Sequence, residues 1–345
     1  MTSKGMMGIS AGVIAVALGA FFLLGNRSAG DIPIIGAALR PDTCPLSGAA
    51  PARESLIDRP AVAVKIENAS VAYPLSGLED AEVVYEELIE GGVTRFMAIY
   101  HCTDSTKAGP VRSARIVDPA IVSPFTKILA YSGQNAPVLD ALREAGIVRL
   151  EEQEAPSGLR RIAREGVTTE HTLYADTGVL RKAGVKRYDK APSGDLFEFG
   201  KLEGPTKKAD TLSLHFTSSG EVGYEWTDGA YRRFERGEPF VNEAGDQISV
   251  DNVLIEEHEV NFSDKIVDVA GNPSTEIGDV TGTGRAVLFR NGRAVVGEWT
   301  RKSEEDPVTF STRSGDAMVF EKGSIWIELL PSDSGDIKGS FSYGE

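Results

Sequence analysis

EVVYEELIEGGVTRFMAIY, residues 82–100, is the stretch whose reading decides the fold. Glu82 to Leu88 and Thr94 to Tyr100 are rich in β-branched and aromatic residues, and Glu90-Gly91-Gly92 between them has turn chemistry. The pattern predicts a β-hairpin or a strand-turn-strand, although propensity leaves a helix open for the first segment. In the second segment, alternation places Arg95 on the face of Met97 and Ile99. A charge there is costly unless it lies at the strand end or meets a partner, and Glu86, Glu87 and Glu90 are the available partners.

Working outward, Ala61 to Ile66 (AVAVKI) reads as a short strand and Lys127 to Tyr131 as another. Pro137 to Ala145 has apolar residues at helical spacing, Pro in its first turn and Gly146 just past its end, which predicts a helix. Alternating strands and helices predict an N-terminal α/β domain with a mixed sheet over residues 60–200. After Gly200 short runs dominate: Thr211 to Phe216, Val222 to Trp226, Ala230 to Phe234, Ile248 to Glu256, Arg285 to Phe289, Ala294 to Thr300 and Ser324 to Leu329. Arg290-Asn291-Gly292-Arg293 is a hairpin turn, and Thr281-Gly282-Thr283-Gly284 reads as a turn leading into a strand. Residues 201–335 are therefore expected to form a predominantly β C-terminal domain, with 336–345 a tail. The fold class expected is α+β.

Met6 to Gly25 carries no charge and is about the length that spans a bilayer as a helix. Asn26 and Arg27 follow it directly, a poor cleavage pattern, so residues 1–30 are read as an uncleaved membrane anchor, with a cleaved signal peptide the nearest alternative. Gly30 to Arg59 is rich in Pro, Gly, Ala and Ser and reads as a linker, assigned to residues 31–59. The formal net charge of -15 argues against general nucleic-acid binding, which needs a basic face. Cys44 and Cys102 are the two cysteines, and an oxidising compartment would join them. Two isolated cysteines and four scattered histidines match no metal-ligand spacing, and no cofactor motif is present.

The most unusual segment is Gly109-Pro110-Val111-Arg112-Ser113-Ala114-Arg115. A Gly-Pro turn is followed by two arginines three apart with a serine between, and guanidinium forks match phosphate, sulfate or carboxylate oxygens. With Arg95 they make a candidate anion site of Arg95, Arg112, Ser113 and Arg115. Glu90, Asp118 and His171 are the candidate catalytic groups. His171, beside Glu170 and near Tyr174, has the chemistry of a general base or hydrogen-bond donor, although a lone histidine more often packs or sits at the surface. Tyr224, Trp226, Tyr231 and Phe234 with Arg232 and Arg233 form an aromatic-basic stripe, read as core aromatics on one strand face and arginines on the other, with glycan binding by stacking as the alternative.

PLSGLEDAEVVYEELIEGGVTRFMAIY from Pro74, GPVRSAR from Gly109 and EHTLYADT from Glu170 together resemble the YerB-like family, domain of unknown function 3048. YRRFERGEPF from Tyr231, DNVLIE from Asp251 and GEWTRK from Gly297 extend the resemblance, which runs from about Cys44 to about Leu330. It implies an extracytoplasmic, membrane-attached protein, often a lipoprotein, with an N-terminal α/β and a C-terminal β-rich domain. This chain departs from the pattern in having no lipid-accepting cysteine after the apolar segment, Glu170-His171-Thr172 in place of Pro-His-Asn, and Asn242 where an aspartate is usual.

The order of Arg95, then Arg112 and Arg115, then Leu129-Ala130-Tyr131-Ser132-Gly133 and a helix also resembles the LytR-CpsA-Psr proteins. Those transfer lipid-pyrophosphate-linked glycopolymers and use arginines on the pyrophosphate. The functional expectation is thus a membrane-held extracytoplasmic protein that binds an anionic envelope ligand. A phosphotransferase of that second type and a non-catalytic envelope scaffold are the alternatives.

Overall fold

The computed structural model describes residues 42–345 apart from 219, 268–270 and 279. Its main sheet grows from three strands, β1 (Val62–Glu67), β2 (Val83–Leu88) and β3 (Thr94–Tyr100), with β3 antiparallel to both others. Every residue of the three is buried, so both faces are covered, which is why they read as apolar runs with only isolated charges. β4 (Ile128–Ala130) runs parallel to β1, and β5 (Val148–Leu150) parallel to β4.

The sheet continues through the C-terminal half. β2 pairs in parallel with Ile325–Pro331, which pairs in parallel with Asn252–His258. Gly282–Arg290, Arg293–Arg301 and Thr309–Thr312 extend it by antiparallel pairing. The described residues from 42 onward form one compact unit, with the two halves sharing this sheet. The expected mixed, strand-rich architecture is present, with three α-helices among the described residues: α1 (Asp118–Val122), α2 (Ala136–Glu144) and α3 (Thr177–Gly184). α2 starts as its sequence requires: the Asn135 side chain accepts from the Val138 N–H at 3.0 Å.

A second sheet, built on Thr211–Thr217, Gly220–Thr227 and Ala230–Glu235 with Ser340–Gly344 at one edge, shares a core with one face of the main sheet. Leu212, Leu214 and Tyr224 meet Val64, Phe96 and Trp326 there. The opposite face, carrying Tyr85, Met97 and Ile99, packs with Ile121 of α1 and Val138 and Leu142 of α2. A ribbon of β6 (Leu159–Arg161) and β7 (Leu173–Ala175) pairs with the segment leading into the arginine loop, which in turn bonds to β1.

Two local expectations need correction. Gly282 to Gly284 are strand, not turn; a Cβ on Gly284 would run into the Trp299 indole across the hairpin. Arg233 faces the core with Tyr224 and Tyr231 instead of the outer face. Glu86 and Glu328 of the main sheet receive it, and its guanidinium centre lies 5.0–5.5 Å from the rings of Trp326, Phe240, Phe96 and Tyr224.

From Asp42 onward the segment assigned to the linker packs on the body, with Cys44, Leu46 and Ile57 buried. Cys44 is joined to Cys102 by a disulfide with a Cα separation of 6.1 Å. Cys44→Ser with Cys102→Ser is expected to cost about 2–4 kcal/mol, and native protein should show no alkylatable thiol in mass spectrometry until reduced. Two freely alkylated thiols in native protein would contradict this. The Met6 to Gly25 segment lies outside the described residues, and no helix among the described residues is long and apolar enough to cross a membrane.

Candidate functional site

The arginine loop is braced by its backbone before any side chain is considered. Gly109 exchanges two backbone hydrogen bonds with Ser76, at 2.9 and 3.0 Å. The Val111 N–H donates to Leu173 O at 2.7 Å, the Arg112 N–H to Lys65 O at 3.0 Å and the Ala114 N–H to Gly133 O at 3.0 Å. Gly109 has a φ of +149°, and a Cβ there would lie 2.9 Å from Leu173 O, so only glycine lets the loop approach β7 this closely. Arg112, Ser113 and Arg115 are thereby presented beside the end of β1 and the start of β3.

Arg95 meets them. It sits between Glu67 of β1 and Glu87 of β2 in the strand register. Neither forms an ion pair with it, and Glu86 belongs to the opposite face, against Arg233. Arg95 Nη1 instead donates to Ser113 O at 2.9 Å and Ser113 Oγ at 3.1 Å, while its buried Nε has no hydrogen-bond partner among the described residues. Burial, then the neighbouring Arg115 and Arg112 charges, push its pKa down to about 9.

Arg115 Nη1 donates to the same Ser113 Oγ at 2.8 Å, so that oxygen accepts from two guanidinium groups. Arg115 Nε and Nη2 both reach Glu90 Oε2, at 3.0 and 2.5 Å, and Glu90 Oε1 accepts from Ser274 Oγ at 2.5 Å. Burial would raise the Glu90 carboxyl, but Arg115 holds it below the usual carboxylate range. Arg112 Nη1 donates to Glu170 O at 3.0 Å. Its Nε lies 3.3 Å from Glu67 Oε1, within ion-pair range but not aligned as a hydrogen bond. The other Glu67 oxygen is 2.7 Å from His171 Nδ1. The acid that engages the His171 ring is therefore Glu67, and not its chain neighbour Glu170.

Asp118 is fully buried at the start of α1, with Oδ1 2.6 Å from Lys65 Nζ and Oδ2 accepting the Arg115 N–H at 2.7 Å. Lys65 also pairs with Glu87. Burial pushes the Glu87 carboxyl up against the pull of Lys65. This arrangement suits Asp118 to bracing the arginine loop; its carboxylate has no face toward solvent.

Of the residues singled out from the sequence, Arg95, Ser113, Arg115 and Glu90 share one hydrogen-bonded cluster, and Arg112 and His171 meet at Glu67. Lys65 and Glu67 were not singled out. Their signal was a lysine within AVAVKI and a glutamate directly after it, charges that an otherwise apolar strand keeps only with partners. Among the described residues, no group of three or more His, Cys, Asp or Glu side chains is placed to hold a metal ion.

Residues 46–190 match the N-terminal domain, and residues 212–327 the C-terminal domain, of a family described as protein of unknown function DUF3048. The chain is 25% identical over 304 residues to the Bacillus subtilis protein named "Putative lipoprotein YerB", covering 84% of this chain and 88% of the relative. The crystal structure of YerB from Bacillus subtilis superposes with a TM-score of 0.70 at 24% identity, covering 86% of this chain and 98% of that one.

Proposed function

Because the chain belongs to the DUF3048 family, whose description assigns no activity, we propose a function from its own site: an extracytoplasmic protein held at a membrane that binds an anionic, phosphate- or pyrophosphate-bearing ligand through Arg95, Arg112 and Arg115. The tether in this reading is the apolar segment Met6 to Gly25, since no cysteine precedes Cys44 to carry a lipid. The lipoprotein name of the Bacillus subtilis relative supports the membrane-associated, extracytoplasmic setting.

One observation carries the anion reading. Arg95 is a buried guanidinium with no carboxylate in ion-pair contact among the described residues, and the crowding of two more arginines outweighs the more distant pull of Glu90 and Glu87. A charge this costly to bury, and made costlier by like charges, is relieved by an anion shared among the three. Arg112 and Arg115 already have Glu67 and Glu90, so an incoming phosphate competes with or bridges those pairs. The same pairs favour a second reading, in which the cluster only fastens the loop to the sheet.

Calorimetry with inorganic pyrophosphate separates the two. The wild type should bind, Arg112→Ala with Arg115→Ala should weaken binding at least about 100-fold, the loss of two charge-assisted contacts, and added salt should weaken the wild type. Equal binding by wild type and double variant would remove the anion site and leave the fastening reading.

A further inference from the structure

The arginines are not the only polar groups that reach the surface here. We infer that His171 is a second recognition element of this site, and that the ligand is a phosphate ester whose alcohol portion carries a free hydroxyl. The inference rests on the anion site proposed above and adds the chemical class of what is attached to the anion.

It starts from Glu67. This carboxylate is almost wholly buried and is divided between two neighbours, one oxygen for Arg112 Nε at 3.3 Å and the other for His171 Nδ1 at 2.7 Å. The imidazole and the Arg112 guanidinium therefore stand side by side, separated by the span of one carboxylate. The His171 backbone is fixed as well: it ends the short turn Thr169–His171, whose Glu170 carbonyl accepts from Arg112 Nη1 at 3.0 Å. An ionised carboxylate can only accept, so the neutral ring carries its proton on Nδ1 and offers a lone pair at Nε2. Among the described residues Nε2 has no hydrogen-bond partner, and it is not sealed from solvent.

A lone pair on Nε2 does not attract a bare phosphate oxygen. It accepts from a hydroxyl. With Arg112 holding phosphate on the other side of Glu67, the group that satisfies both is an O–H on the alcohol side of a phosphate ester, as in a polyol or sugar phosphate. Glu67 acts here as a positioning residue, since it fixes the tautomer and aim of the ring without touching the ligand.

The experiment compares two monoesters of equal charge, ethyl phosphate and glycerol phosphate, by calorimetry at mildly alkaline pH. The wild type should favour glycerol phosphate by about tenfold, the worth of one well-placed hydrogen bond. His171→Ala should bring the two affinities together, and His171→Gln, which restores an acceptor, should recover part of the preference. Arg112→Ala with Arg115→Ala should weaken both esters alike. Equal affinity of the wild type for both esters would overturn the hydroxyl reading while leaving the anion site. Binding of neither ester would overturn it together with the site on which it rests.

Discussion

Arg233→Met is expected to destabilise the protein by about 3–5 kcal/mol, lowering the melting temperature by on the order of 10 °C. The residue is fully buried between the two sheets, and its removal strands charge. Glu86 Oε2 lies 2.8 Å and Glu328 Oε1 3.3 Å from its guanidinium nitrogens, and Glu235 Oε2 lies 3.0 Å away. Burial already pushes the Glu86 and Glu328 carboxyls up, and Arg233 is the group that pulls them back. The loss should therefore be largely repaired by adding Glu86→Gln and Glu328→Gln, because the cost lies in uncompensated acids more than in the missing arginine. Urea denaturation of the single and triple variants checks this; a triple variant less stable than the single one would contradict it.

Lys65→Met should cost a similar amount, but with a pH signature. Glu87 is raised from 4.5 to about 7 even with Lys65 beside it, because burial outweighs the ion pair. In that window the folded state holds more protons than the unfolded one, so stability falls as pH rises. Without Lys65, Glu87 and Asp118 face each other with only the weaker pull of Arg115 on Glu87 to offset them, the upward shift grows and the fall steepens. The variant should lie close to wild type near pH 5 and about 3–5 kcal/mol below it near pH 8, measured by urea unfolding at both values. A deficit equal at the two pH values would show that the triad does not carry the charge assigned to it. The same variant tests the loop, since Asp118 anchors the Arg115 N–H.

Residues 82–100 were legible because strand chemistry flanks a glycine turn, and the helix at 136–144 because Pro137 and Gly146 mark its ends. The joint between the halves was not. Val83–Leu88 and Ile325–Pro331 pair in parallel across most of the chain length, and no local pattern encodes such a partner. Arg233 was misplaced for a related reason. Period-two alternation from Tyr231 puts it on the core face, but its burial becomes tolerable only through Glu86 and Glu328, which come from distant segments.

The site shows the same division. The Gly-Pro turn with arginines three apart marked the loop, and the isolated charge in TRFMAIY marked Arg95. Their convergence on Ser113 and the sharing of Glu67 between Arg112 and His171 depend on tertiary register, Glu67 lying opposite Arg95 on neighbouring strands. Side chains were recognisable as chemistry; which side chain answered which was decided by the sheet.

Crystals soaked in tungstate give the most direct test of the central claim. Anomalous scattering should place the anion among the Arg95, Arg112 and Arg115 guanidinium groups, within hydrogen-bond distance of at least two of them. Anomalous density elsewhere on the protein, with these three side chains still held by Ser113, Glu67, Glu90 and the Ala114 and Glu170 carbonyls, would contradict it.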